Sequence, residues 1–249
     1  CLANAVKSCR RALVLNPNYA NAYNNISNSL RKLDQCDSAL NYYEKAIQIK
    51  PNDVISKSNM GYILLDQGRL KEATRSFQDV LILTPSYAEA YNGMGTAYKQ
   101  TGKDECALRS YGFALIVRPN FRDAKINRSL MLAEAGDSKV AEGLCRDVII
   151  RDPNFVEAYN SLGLALHNLA RYEEAITVYS RAIQLDNDYH AAASNLGKAL
   201  PLYQPKNYSS GLADLYLYLL GIRGLVSPQQ LCPGIINLLK INVDIVFAL

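Results

Sequence analysis

Five prolines, Pro17, Pro51, Pro85, Pro119 and Pro153, stand 34 residues apart, and Asn187 occupies the sixth place. A fixed period of this length is the signature of a stacked-repeat architecture, and few other folds can satisfy it. Two residues after each of these positions come Tyr19, Asp53, Tyr87, Phe121, Phe155 and Tyr189. With the proline numbered as position 32, full units run over 20–53, 54–87, 88–121, 122–155 and 156–189. The second helix of a partial unit precedes them over 1–19, and the first helix of a further unit follows over 190–201.

Within the unit, side-chain size recurs by position. Position 8 is small (Ser27, Gly61, Gly95, Ser129, Gly163, Gly197) and position 20 is alanine (Ala5, Ala39, Ala73, Ala107, Ala141, Ala175). Position 24 is bulkier (Cys9, Tyr43, Phe77, Tyr111, Cys145, Tyr179), and position 7 is apolar except at Arg128. Two antiparallel helices approach closely only where both side chains are small, so positions 8 and 20 are expected to form the crossing point, with positions 24 and 7 filling the space beside it. Such a hairpin cannot bury its faces alone, and stacked neighbours complete the core. Arg128 makes 122–155 the weakest unit and the one expected to be most mobile.

At these positions the chain resembles the tetratricopeptide-repeat family over roughly residues 1–200. It departs from the family at position 4, where Tyr23, Tyr91 and Tyr159 alternate with Lys57, Lys125 and Ala193. The resemblance implies an all-α, right-handed superhelical solenoid in which the first helix of each pair lines a concave groove through positions 2, 5, 6, 9, 12 and 13. In the first full unit those positions read Asn21, Asn24, Asn25, Asn28, Arg31 and Lys32. Position 6 continues as Asn59, Gly93, Asn127, Ser161 and Asn195, and position 5 supplies Asn92 and Asn160 where position 6 lacks asparagine. This track resembles the asparagine ladder in the repeat region of O-linked N-acetylglucosamine transferases, which implies that it clamps the backbone of an extended peptide. One amide offers a peptide unit both a donor and an acceptor, whatever the peptide's sequence. The residues expected to bind peptide are therefore Asn21, Asn24, Asn25, Asn28, Asn59, Asn92, Asn127, Asn160 and Asn195. The carboxylate clamp of co-chaperone members needs basic residues, and Glu89 and Glu157 stand where one of them would be.

Other chemistry finds little support. The net charge of +4 is spread among interleaved charges of both signs, so no basic stripe points to nucleic acid. Six scattered cysteines without a CxxC pair, and two histidines, give no zinc spacing, and no cofactor or metal is expected. Gly93-Met94-Gly95 falls inside a helical unit, so it reads as packing rather than as a nucleotide loop. His167 and His190 have no nucleophile or acid at a fixed spacing, so no catalytic site is expected. No apolar run reaches the ~18 residues of a membrane span, and reduced cysteines fit a cytoplasmic location.

Residues 202–249 lie beyond the period and are rich in apolar residues. Leu212, Leu215, Tyr216, Leu219 and Leu220, then Leu231, Ile235, Leu238 and Leu239, recur at helical spacing, so a helical cap with a residual self-association surface is expected there. The chain begins at Cys1 inside a unit, as a piece of a longer protein would. The expected function is a non-catalytic scaffold for an extended polypeptide. The alternatives are the substrate-recruiting arm of a larger glycosyltransferase or methyltransferase, and a solenoid that assembles with itself.

Overall fold

The computed structural model describes residues 2–203. These residues are all-α and fall into two compact units, divided between Ala124 and Lys125. The first unit holds α1 (Leu2–Leu15), α2 (Ala20–Arg31), α3 (Cys36–Ile49), α4 (Val54–Asp66), α5 (Leu70–Leu83), α6 (Ala88–Gln100) and α7 (Asp104–Val117). α8 (Arg122–Glu134) begins there and continues into the second unit. The second unit adds α9 (Ser138–Arg151), α10 (Val156–Asn168), α11 (Tyr172–Leu185) and α12 (His190–Ala199), ended by a 3-10 turn over Leu200–Leu202. No helix among the described residues is long and apolar enough to cross a membrane. The helical extension expected over 202–249 lies outside the described residues from position 204 onward.

Two kinds of turn set the period. Between hairpins, the backbone N–H of Asp53, Tyr87, Phe121, Phe155 and Tyr189 donates to the carbonyl three residues earlier at 3.0 to 3.2 Å. In the first four of these turns the recurring proline is the second residue, where its fixed φ fits and its missing N–H costs nothing. Within hairpins, the fifteenth residue of each unit is left-handed: Asp34 (φ 59°), Gly68 (72°), Gly102 (69°), Gly136 (97°) and Ala170 (57°). The next N–H then reaches back to close the helix end, as in Gln35 to Leu30 O, Arg69 to Leu64 O and Arg171 to Leu166 O at 2.8 to 3.0 Å.

The core of each unit is built from the small and large positions read in the sequence. Ala39, Ala73, Ala107, Ala141 and Ala175 are fully buried, as are Tyr43 and Phe77. The atoms nearest the glycines at position 8 belong to the ring at position 24. A Cβ built on Gly61 would lie 2.8 Å from Phe77, one on Gly95 would lie 2.6 Å from Tyr111, and one on Gly163 would lie 2.4 Å from Tyr179. Gly93 is tighter still, with its Cβ position 2.3 Å from Phe77. Phe77 therefore sits between two glycines, one on its own hairpin and one on the next first helix, and a side chain at position 93 would have to displace its ring.

The hairpin of α8 and α9 solves the same problem with polar groups. Cys145 Sγ donates to Ser129 Oγ at 3.2 Å, and Ser129 Oγ donates to the carbonyl of Ile126 at 2.8 Å. Lys125, buried, pairs with Asp147, which also accepts from Arg151 Nε at 3.1 Å. Arg128, where neighbouring units carry an apolar residue, leaves its buried Nε without a hydrogen-bond partner.

Candidate functional site

Because first helices recur with the period of the turns, equivalent positions on them come to face one another. In the first unit, Asn24 and Asn28 lie one helical turn apart on α2, and Asn59 lies on α4. Asn28 Nδ2 donates to Asn24 Oδ1 at 3.2 Å, and Asn59 Nδ2 donates to Asn28 Oδ1 at 3.2 Å. The same Asn28 Oδ1 accepts the Tyr43 hydroxyl at 2.5 Å. In the second unit, Asn195 Nδ2 on α12 donates to Asn160 Oδ1 on α10 at 3.0 Å. In both units the donor is position 6 of a later first helix, and the acceptor sits at position 9 or 5 of the one before it.

The remaining asparagines are placed differently. Asn21 and Asn25 are exposed on α2. Asn92 on α6 is buried, and its side chain hydrogen-bonds the Tyr62 hydroxyl. Asn127 is half-buried on α8. The structure thus joins Asn24, Asn28 and Asn59 in one cluster and Asn160 with Asn195 in another. Part of each amide's capacity is used on a neighbouring asparagine, which the sequence pattern alone does not reveal.

Several side chains around the first cluster escaped the sequence reading. Burial pushes the Tyr43 hydroxyl up to about 12, against a lowering by Arg31 and by a hydrogen bond with Asn59, so it is a donor at neutral pH. Tyr62 donates to the carbonyl of Glu89 at 2.8 Å, and its ring packs edge-on against Phe77 at 5.1 Å between centroids. Thr96 Oγ1 and the Tyr111 hydroxyl are 3.3 Å apart. Part of the signal was present in the register: position 9 is polar in two of the three full units whose position 24 is tyrosine (Asn28 with Tyr43, Thr96 with Tyr111, but Leu164 with Tyr179), and it is tyrosine where position 24 is Phe77. Arg31 lies 5.9 Å over the Tyr62 ring and pairs with Asp66 at 3.3 Å.

Charge does not favour a carboxylate ligand. Glu89 Oε1 pairs with Arg118 at 2.8 Å, which balances its charge, so the exclusion of a carboxylate clamp rests on the missing basic residues rather than on repulsion by Glu89. Burial raises the Cys145 thiol to about 11, which keeps it protonated and unreactive at neutral pH. His167 meets the Tyr172 ring edge at 5.4 Å, and burial, then Lys198, lowers its pKa. Among the described residues no group of three or more His, Cys, Asp or Glu side chains could hold a metal ion.

Three sequence models of the tetratricopeptide repeat match the chain: one over 61–102 and 171–200, one over 144–177 and one over 20–50. No curated protein matches it. Among solved structures, the chain is similar to YrrB, described as a TPR protein with an unusual peptide-binding site, at 21% identity over 75% of this chain and 96% of that one, with a TM-score of 0.54. It is also similar to TTC0263, a thermophilic TPR protein of Thermus thermophilus, at 21% identity over 73% and 98% with a TM-score of 0.62. A third similarity is to MamA, at 25% identity over 65% and 95% with a TM-score of 0.54.

Proposed function

The chain belongs to the tetratricopeptide-repeat family, and from that premise we propose that it is a non-catalytic scaffold whose asparagine-bearing first helices hold the backbone of an extended polypeptide. The observation that carries this reading is the pairing of amides across successive first helices, Asn59 on Asn28 and Asn195 on Asn160. Each such bond consumes one N–H and one lone pair. A carboxamide has two of each, so Asn59, whose N–H groups serve Asn28 and Tyr43, keeps its carbonyl oxygen, and Asn24 keeps both of its N–H groups. The pairing fixes the amide planes before a ligand arrives, which lowers the ordering cost of binding. The backbone of any peptide presents complementary groups, so recognition of this kind tolerates many sequences. The peptide-binding site attributed to YrrB is consistent with this use of the fold.

The test is joint replacement of Asn25, Asn59 and Asn127 by alanine. Each lost hydrogen bond is worth about 0.5–1.5 kcal/mol, so binding of an unstructured peptide mixture should fall by one to three orders of magnitude while helical content is kept. Equal capture of every peptide by both proteins would remove the asparagines from the binding role.

A further inference from the structure

Tyr43 stands apart from the other residues at position 24. It lies on α3, on the second helix of its hairpin, and its side chain is fully buried. Core tyrosines ordinarily spend their hydroxyl on the nearest backbone or side-chain acceptor. Here the acceptor is Asn28 Oδ1 at 2.5 Å, the same atom that receives Asn59 Nδ2 at 3.2 Å. In three other hairpins the residue at position 24 is used differently: Tyr111 meets Thr96, Cys145 meets Ser129, and Phe77 has no hydroxyl.

We propose that Tyr43 is a positioning residue for the amide cluster, orienting Asn28 from within the core so that Asn59 is held with its carbonyl oxygen available to a peptide. The argument rests on hydrogen-bond valence. With its two lone pairs taken by Tyr43 and Asn59, and its amide nitrogen donating to Asn24 at 3.2 Å, Asn28 is locked in one of its two amide orientations. Removal of the hydroxyl leaves the orientation of Asn28 to Asn24 and Asn59 alone, two longer bonds to amides that can themselves rotate. A rotated amide would point N–H at the N–H of Asn59 and break the bond between them. Because the tyrosine ring is fully enclosed, its packing is retained by phenylalanine, and the effect of the hydroxyl can be isolated.

This inference rests on the peptide-binding reading, and two measurements separate their failures. The variants are Tyr43→Phe and, as the control, Tyr111→Phe, whose hydroxyl lies against Thr96 Oγ1. The first measurement is the side-chain amide NMR signals of Asn28 and Asn59 in the protein without peptide. In Tyr43→Phe these signals should shift and exchange faster with solvent, and in Tyr111→Phe they should not. The second is affinity for a pool of unstructured random peptides, which should fall about two- to tenfold in Tyr43→Phe, the loss of one hydrogen bond's worth of positioning, and stay unchanged in Tyr111→Phe. If the amide signals of Asn28 and Asn59 are unaltered in Tyr43→Phe, the proposal is overturned whatever the peptides do. If those signals change as expected but the wild-type protein binds no peptide, the positioning role stands and the peptide reading fails. If wild type binds and Tyr43→Phe binds equally well, Tyr43 does not position the binding groups.

Discussion

The hairpin of α4 and α5 and the hairpin of α8 and α9 occupy the same place in the period, yet their interiors are opposites. In the first, Phe77 fills the space between Gly61 and Gly93, and contact is apolar and tight. In the second, the corresponding residue is Cys145, hydrogen-bonded to Ser129, and a buried Lys125 pairs with Asp147 nearby. The lesson is that the 34-residue period is enforced by the turns, while the interior between them can be solved in more than one chemistry. An aromatic in a glycine socket tolerates no added volume. A polar interior tolerates volume better but depends on charge states and therefore on pH.

The largest expected effect breaks the tight hairpin. Gly93→Ala places a methyl group inside the Phe77 ring's position, and it should destabilise the first unit by about 1–3 kcal/mol, as overpacking does. Denaturant unfolding would measure it. Phe77→Leu in the same chain should recover part of the loss by vacating that volume, and an uncompensated double variant would show that the clash is not the cause.

Acid should distinguish the two hairpins next. Hydrogen bonds from Lys125, then from Arg151, hold Asp147 below the ordinary carboxylate range despite a smaller opposing effect of burial. Burial pushes Glu142 up, but hydrogen bonds from Arg146 and Arg171 outweigh it and hold it below the ordinary value. Carboxylates depressed in the folded state contribute stability that is complete above their unfolded pKa and is lost as pH falls through the folded one. Amide hydrogen exchange compared at about pH 6 and about pH 3, after correction for intrinsic rates, should show protection of α9 and the α10–α11 turn falling more than that of α4 and α5. Equal loss in both would place the acid sensitivity elsewhere.

The smallest effect sharpens the part the hairpins share. Ala170 adopts the left-handed conformation that Gly68, Gly102 and Gly136 adopt at the same position. Ala170→Gly removes the Cβ penalty of roughly 1–2 kcal/mol but adds backbone freedom to the unfolded chain, so a net gain of about 0.5–1 kcal/mol is expected in thermal or denaturant unfolding.

Much of the fold was legible because turns and size-restricted positions leave marks that recur. The proline turns, the alanines at position 20 and the aromatic residues at position 24 are all visible as letters. The left-handed position was hidden by Asp34 and Ala170, which stand at either end of the series, although the three glycines in register between them were there to be read. That the ring at position 24 supplies the nearest atoms to Gly61, Gly95 and Gly163 was not legible, because a small residue announces that something is close but not what is closest. The asparagine track was visible as a pattern. Its division into bonded clusters was not, since Asn28 and Asn59 meet only through the spacing of neighbouring helices.

The central claim is that backbone, rather than any particular side chain, is what the asparagines hold. The direct measurement is the affinity of the full chain for a panel of unrelated unstructured peptides, each made in parallel with N-methyl groups on alternate backbone amides. The account predicts similar affinities across the panel, within about tenfold, and a loss of more than about tenfold on N-methylation, because several backbone donors disappear together. Affinities that follow one side-chain motif and survive N-methylation would contradict it.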